Sequence, residues 1–246
     1  MLSSMRTGLL IALCVFTSHS FASSTLGKHV LAISQSMSAF YMYSLSEGDN
    51  RYKNEYEQHF IEAQAYLSKF QSQDAVSANE LQVRWDKIKP NLQYEYVDGA
   101  GFIIPVVIRN AFRDYLSSAY GKYVGLASKE NTAHGGIADM ALNIEVMTAR
   151  FFDVSSALYG SMSVSNSDSI NPVIMAKGLN EDFNRLQESG MSDKIKRDLR
   201  MVHTKWRFIE GSVTQYGDEA AYLLVYYNKK QIHKLLSRSQ VALAGA

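Results

Sequence analysis

The side chains that could do chemistry in this sequence are few. Five histidines lie beyond residue 22 (His29, His59, His134, His203 and His233), and imidazole both ligates metals and moves protons near neutral pH. Glu55 and His59 stand four apart, so on a helix both project from one face and supply half of a metal site. A metal needs further ligands, and none is adjacent in sequence; Glu55 and His59 therefore read as a surface pair on a polar face. Met37 and His233 have the chemistry to hold haem between two helices, but no attachment motif accompanies them and bundle Met residues serve as core filler. Tyr226 and Lys230 share the spacing of a dehydrogenase Tyr/Lys pair without a dinucleotide fold around them. Asp98-Gly99-Ala100-Gly101 is too short to cradle a phosphate and reads as a helix-breaking loop. No Gly-x-Ser-x-Gly elbow, phosphate loop or zinc-protease helix motif occurs. The expectation is a protein that is not an enzyme, with no catalytic residue, no metal centre and no cofactor.

Cysteine usage and the N-terminus set the compartment. Arg6 gives a positive n-region, Gly8 to Phe16 a short apolar run, and Ser20-Phe21-Ala22 the small residues that a signal peptidase reads. That run is well under the roughly 20 residues that span a bilayer. A signal peptide over 1–22, cut after Ala22, is therefore expected in preference to an uncleaved anchor, and the mature protein is expected in the periplasm. Cys14 is the only cysteine; Leu13 before it argues against a lipoprotein. The mature chain is then cysteine-free, which excludes disulfides, thiolate metal sites and thiol nucleophiles. Formal charge is +1 over the whole chain, and removal of Arg6 leaves it neutral. Such a balance gives no electrostatic case for nucleic acid or an anionic membrane surface.

Apolar residues recur at three- and four-residue steps almost throughout. Leu26, Val30, Ile33, Met37, Phe40, Tyr41 and Leu45 form one stripe; Tyr52, Tyr56, Phe60, Ala63, Leu67 and Phe70 a second. Leu81, Trp85, Ile88 and Leu92 form a third, and Ile104, Ile108, Phe112, Tyr115 and Ala119 a fourth. Ile195, Leu199, Val202, Trp206, Ile209, Val213 and Tyr216 form the strongest. Each lays one apolar flank along a helix. Tyr222 to Tyr227 is β-prone, but it leads into Ile232, Leu235 and Leu236 and reads as a buried helix. Breaks are expected at Glu47-Gly48-Asp49-Asn50, at Asp98 to Gly101, at Asn131 to Gly136, and over Ser161 to Ser169, with a helix start at Asn171-Pro172.

An internal repeat organises these elements. Gln82 to Ile88 echoes His203 to Ile209, so that Trp85 and Trp206, the only two tryptophans, occupy the same helical point. Upstream, Ile33-Ser34-Gln35-Ser36-Met37 aligns with Met147-Thr148-Ala149-Arg150-Phe151. The predicted fold is all-α: two antiparallel four-helix bundles over 23–130 and 137–240, in tandem or side by side.

The segment Ile33-Ser34-Gln35-Ser36-Met37-Ser38-Ala39-Phe40-Tyr41, with Trp206-Arg207-Phe208-Ile209 running into a long last helix, resembles the periplasmic N-terminal domain of type IV pilus methyl-accepting chemotaxis transducers, a family related to nitrate/nitrite sensor domains. The resemblance covers most of the mature chain as two copies. In the nitrate-sensing relatives, first-helix arginines grip the anion; here Leu31 and Ser36 stand at arginine positions and Arg150 alone keeps one. The resemblance implies a free-standing, sensor-like module that binds a small ligand or an envelope protein and relays occupancy to an inner-membrane partner. Any small-molecule site is expected around Gln35, Tyr41 and Arg150. The alternative is a structural or assembly factor of a pilus or of a secretion or conjugation machine. The fifteen tyrosines read chiefly as residues at the core edge, their hydroxyls in water.

Overall fold

A computed structural model of the chain describes residues 2–89, 94–98, 101–129, 136–157, 170–215 and 221–244, with side chains from residue 24 onward. Eight helices make up nearly all of it: α1 (Leu2–Leu45), α2 (Asn50–Gln71), α3 (Ala75–Ile88), α4 (Val106–Lys129), α5 (Ile137–Ser155), α6 (Pro172–Glu188), α7 (Asp193–Gln215) and α8 (Tyr222–Ala244). The fold is all-α, as the stripes predict. Helix α1 runs unbroken past Ala22. Among the described residues no helix is long and apolar enough to cross a membrane.

The stripes become the core. Leu26, Val30, Ile33, Met37, Phe40 and Tyr41 of α1 are fully enclosed, as are Leu199, Val202, Trp206, Ile209 and Val213 of α7. Leu92, Tyr216, Asn131 to Gly135 and Ser161 to Ser169 lie outside the described residues. The helix ends follow side-chain chemistry. Gly48 turns the chain at φ +90° after α1, and the Asp49 carboxylate accepts the Arg51 N–H to cap α2. Asp74 caps α3 in the same way, and Asn171 accepts from Val173 and Ile174 ahead of Pro172 in the first turn of α6. Helix α8 starts at Tyr222; Leu223, Leu224 and Tyr227 remain exposed, so only one flank of that β-prone run is buried.

Helix contacts describe two side-by-side sets. Helix α1 packs on α2 and α4, and α3 closes the first set against the same two neighbours. In the second set α5 packs on α6, α7 and α8, and α7 joins α6 to α8. The sets meet along α1 and α5, and one continuous apolar core runs from Leu26 to Leu236. Of the positions aligned by the repeat, Ser34 and Thr148 are both buried and both donate to the carbonyl four residues back.

The break at Asp98 to Gly101 holds more than a loop. β1 (Glu95–Val97) pairs antiparallel with β2 (Gly101–Ile103), and Gly101 adopts φ +73°. Tyr94 at its base stacks on Phe40 at 4.5 Å and donates its hydroxyl to the Phe40 carbonyl at 3.0 Å. Three-residue strands are too short to leave an alternating pattern in sequence. Phe102 sits over Gly48 so closely that a Cβ there would run into its ring, which ties the hairpin to the α1–α2 turn.

Trp85 is stacked 4.3 Å from Phe60 and, like Trp206, is fully buried. Trp85→Ala and Trp206→Ala should each lower the unfolding free energy by about 3–5 kcal/mol. Val83→Ala, on the exposed flank of α3, should change it by less than about 0.5 kcal/mol. Urea unfolding followed by far-UV circular dichroism tests both.

Candidate functional site

Helix α5 dictates where polar chemistry collects. From Ile137 to Val154 it is buried almost all round, and it carries Glu145, Arg150 and Asp153 into the interior. Buried charges must find partners of opposite sign, and they do so at two separate places.

The first lies at the C-terminal end of α5. Asp153 accepts from Arg113 at 2.9 and 2.7 Å and from Arg150 at 3.2 Å on one carboxylate oxygen, and from Arg109 at 3.3 Å on the other. Arg109 also donates to the Asp153 carbonyl at 2.6 Å, to the Ser156 hydroxyl at 2.9 Å and to the Ile104 carbonyl at 3.3 Å. This clamp ties the start of α4 to the end of α5. Tyr41 stands against it, its ring 5.5 Å from the Arg109 guanidinium. The Tyr41 side chain is fully buried and its hydroxyl has no hydrogen-bond partner among the described residues. Burial pushes its phenol well above the usual range, and Asp153 adds to the push. The expectation of a core-edge tyrosine with a wet hydroxyl therefore fails at Tyr41: the clamp walls it in. Tyr41 and Arg150 are brought together, around a carboxylate.

The second place is a groove of about 570 Å³ between α1 and α2 on one side and α5 and α8 on the other. Gln35 lies here, apart from Tyr41 and Arg150. At its floor the Lys229 ammonium donates to Glu145 at 2.8 Å, and both side chains are almost wholly buried (3% and 2% exposed). Lys230 reaches across from α8 to Glu55 on α2 at 3.0 and 3.1 Å. Burial would raise the Glu55 carboxyl, but Tyr226 and Lys230 beside it outweigh that and hold it below its usual range. His59 Nδ1 lies 2.9 Å from Glu62. The Glu55–His59 pair is thus divided between two other partners, and no group of three or more His, Cys, Asp or Glu among the described residues is arranged to hold a metal.

His233 lines the same groove. Its Nε2 is 3.4 Å from the Gln35 amide nitrogen, so Nε2 accepts and Nδ1 carries the proton. Nδ1 faces Glu145 at 3.8 Å, too far for a hydrogen bond, and has no other partner among the described residues. Burial lowers the His233 pKa against the opposing pull of Glu145, with Lys229 and His59 adding to the lowering. A neutral imidazole with a free N–H, a buried ion pair and three amides (Gln35, Asn54 and Gln58) can recognise a polar ligand. They do not compose a nucleophile with its base.

Of the other imidazoles, His29 is a core residue. Its Nδ1 donates to the Ala63 carbonyl at 2.8 Å, and its Nε2 accepts from the Tyr115 hydroxyl at 2.7 Å. Met37 is enclosed in the core, and His134 lies outside the described residues. Glu145, Asp153, Lys229, Arg109 and Arg113 were not singled out by the sequence reading. Their signal was present in the two carboxylates, Glu145 and Asp153, set within the apolar run Met140 to Val154. Compared with protein-family models, curated proteins and solved structures, the chain matches none. Its likeness to transducer sensor domains rests on the helix motifs alone.

Two measurements probe these charges. Burial lowers the His29 pKa from 6.5 to about 4. The unfolded chain therefore takes up a proton below pH 6.5 that the folded chain refuses until about pH 4. Stability due to His29 is whole above pH 6.5 and lost as pH falls to 4, by about 3 kcal/mol. His233 acts in the same direction, so the difference in pH slope between wild type and His29→Gln isolates His29; equal slopes in urea titrations would contradict the assignment. Separately, Glu145→Leu or Lys229→Met alone should cost about 3–5 kcal/mol, whereas the double variant Glu145→Leu/Lys229→Met should recover most of it. A double-mutant cycle by chemical denaturation reads this coupling.

Proposed function

We propose that this protein is a non-enzymatic, sensor-like helical bundle of the periplasm that binds a small polar ligand in the α1/α2/α5/α8 groove and relays its occupancy to a membrane partner. The observation that carries the reading is the buried Lys229–Glu145 pair at the floor of the 570 Å³ groove. A buried pair costs desolvation, and a well-packed apolar pair of the same volume serves stability as well. Its presence beside a cavity of ligand size supports a role in recognition.

The groove also explains how occupancy could be passed on. One wall belongs to the first helical set and the other to the second, with Lys230 to Glu55 and Gln35 to His233 as the polar crossings. A ligand contacting both walls favours one relative placement of the sets over others, and that differential affinity is the whole content of a ligand-driven shift. The periplasmic placement rests on the leader-like residues 1–22 and the absence of cysteine from the rest of the chain.

The test is thermal unfolding of the purified protein against small zwitterions, nitrate, nitrite, phosphate and cationic metabolites. A ligand at a hundred times its Kd should add about 2.7 kcal/mol, a rise of several degrees that Lys230→Met should remove. No rise with any compound, together with no envelope protein retained on the immobilised chain, would overturn the reading.

A further inference from the structure

His233 also lines a second cavity, of about 550 Å³. Its lining differs in kind: Leu31, Tyr66, Ala127, Ala141 and Leu142 give it mostly apolar walls, with Lys28 and Asp139 as its charged members. Gly27 on α1 keeps one wall open, since a Cβ there would meet the Tyr123 ring at 3.0 Å. Along α8 the two cavities follow one face. Lys229, Lys230 and His233 line the first, and His233, Ser237 and Gln240 line the second. Helix α1 runs the other way beside them, with Gln35 at the polar end and Leu31, Gly27 and Ser24 at the apolar end. From Lys230 to Gln240 the track is about 15 Å long at the helical rise.

Charge at the polar end is mixed. Three carboxylates (Glu55, Glu62 and Glu145) and three permanent cations (Arg51, Lys229 and Lys230) line the same groove. A purely anionic or purely cationic head would meet as many like charges as opposite ones, and like charges at close range cost affinity. A head bearing both signs meets complements on both sides. The apolar end has the volume of one small-ligand site, room for a single chain.

Resting on the groove-binding reading above, we propose that the ligand is a single-chain zwitterionic amphiphile, its head among Glu55, Glu145, Lys229 and Lys230 and its tail past His233 between Leu31 and Leu142. The probe is myristoyl lysophosphatidylethanolamine below its micellar concentration, titrated into the purified protein by calorimetry and by native mass spectrometry. Phosphoethanolamine (head alone), myristate (tail with a carboxylate) and the matching lysophosphatidylglycerol (anionic head) form the other arms. The zwitterionic lysolipid should bind one to one, about tenfold or more tighter than each of the other three, equivalent to about 1.4 kcal/mol.

Ala138→Trp, at the exposed lip of the apolar end, should weaken the lysolipid about tenfold and leave phosphoethanolamine unchanged. Lys230→Met should weaken both. Equal affinity for phosphoethanolamine and the lysolipid, or indifference to Ala138→Trp, overturns the amphiphile while the polar-ligand reading stands. Equal affinity for lysophosphatidylglycerol or myristate overturns the zwitterionic head. If no arm binds, the amphiphile falls; the groove-binding reading falls with it only when no small polar compound stabilises the protein and no envelope protein is retained. A complex of twice the chain mass in place of a lipid adduct would make the occupant a second copy and overturn the proposal.

Discussion

A helix buried on every side cannot keep its charged residues in water, and α5 carries two carboxylates into the middle of this protein. Removing a carboxylate from water costs several kcal/mol even after relaxation, so Glu145 and Asp153 each require a cation delivered by another helix. Lys229 comes from α8; Arg109 and Arg113 come from α4. Each delivery fixes a helix against α5 at one rotation and one height, because a shift of a single residue would turn the cation by about 100° away from its acceptor. Apolar burial supplies most of the driving force for the fold, but it is tolerant of small slides. The ion pairs are not. They set the register of α4 and α8 on the central helix, and everything lining the groove depends on that register.

The groove follows from the same arrangement. Helices α1 and α8 both lie along α5, from opposite sets, and the space between them is floored by α5 and flanked by α2. Because Lys229 turns inward to Glu145, its neighbour Lys230 is directed some 100° round the helix, toward Glu55 on α2. His233, one turn further, faces Gln35 on α1. One buried pair thus decides the orientation of the side chains that cross between the two sets. Exposed charge pairs elsewhere, such as Arg207 with Glu210 or Arg185 with Asp182, join residues within one helix and carry no such information; pairs of that kind are worth a few tenths of a kcal/mol.

How much of this was legible in the sequence depends on geometry. Helices with one apolar flank announced themselves: every stripe residue of α7 from Ile195 to Val213 is buried. Caps were equally plain, since Asp49 and Asn171 do what Ser, Thr, Asp and Asn do at helix starts. Helix α5 was harder to place, because a helix buried all round has no stripe to read. The short hairpin at Glu95 to Ile103 was invisible, its pairing being decided by Tyr94 and Phe102 settling on residues about 50 positions earlier. The expected grouping of Gln35, Tyr41 and Arg150 came apart for a simple reason. Six residues along α1 put Gln35 and Tyr41 about 9 Å apart and on different faces, so one side chain meets the groove and the other the clamp.

The positions Ser36 and Arg150, which the sequence repeat aligns, meet different surroundings. Ser36 is buried and donates to the Tyr56 carbonyl at 2.9 Å, fastening α1 to α2. Arg150 at the matching point is also buried, but it turns along its own helix to Asp153. The carboxylate of Asp153 stands in front of the guanidinium as an anion supplied by the chain itself. With Arg109 and Arg113 on the same carboxylate, an incoming anion would have to displace a covalently tethered competitor whose effective concentration is far above that of any solute. On the other flank of α1 the polar positions differ again: Gln35 faces His233 beside the buried Lys229–Glu145 pair.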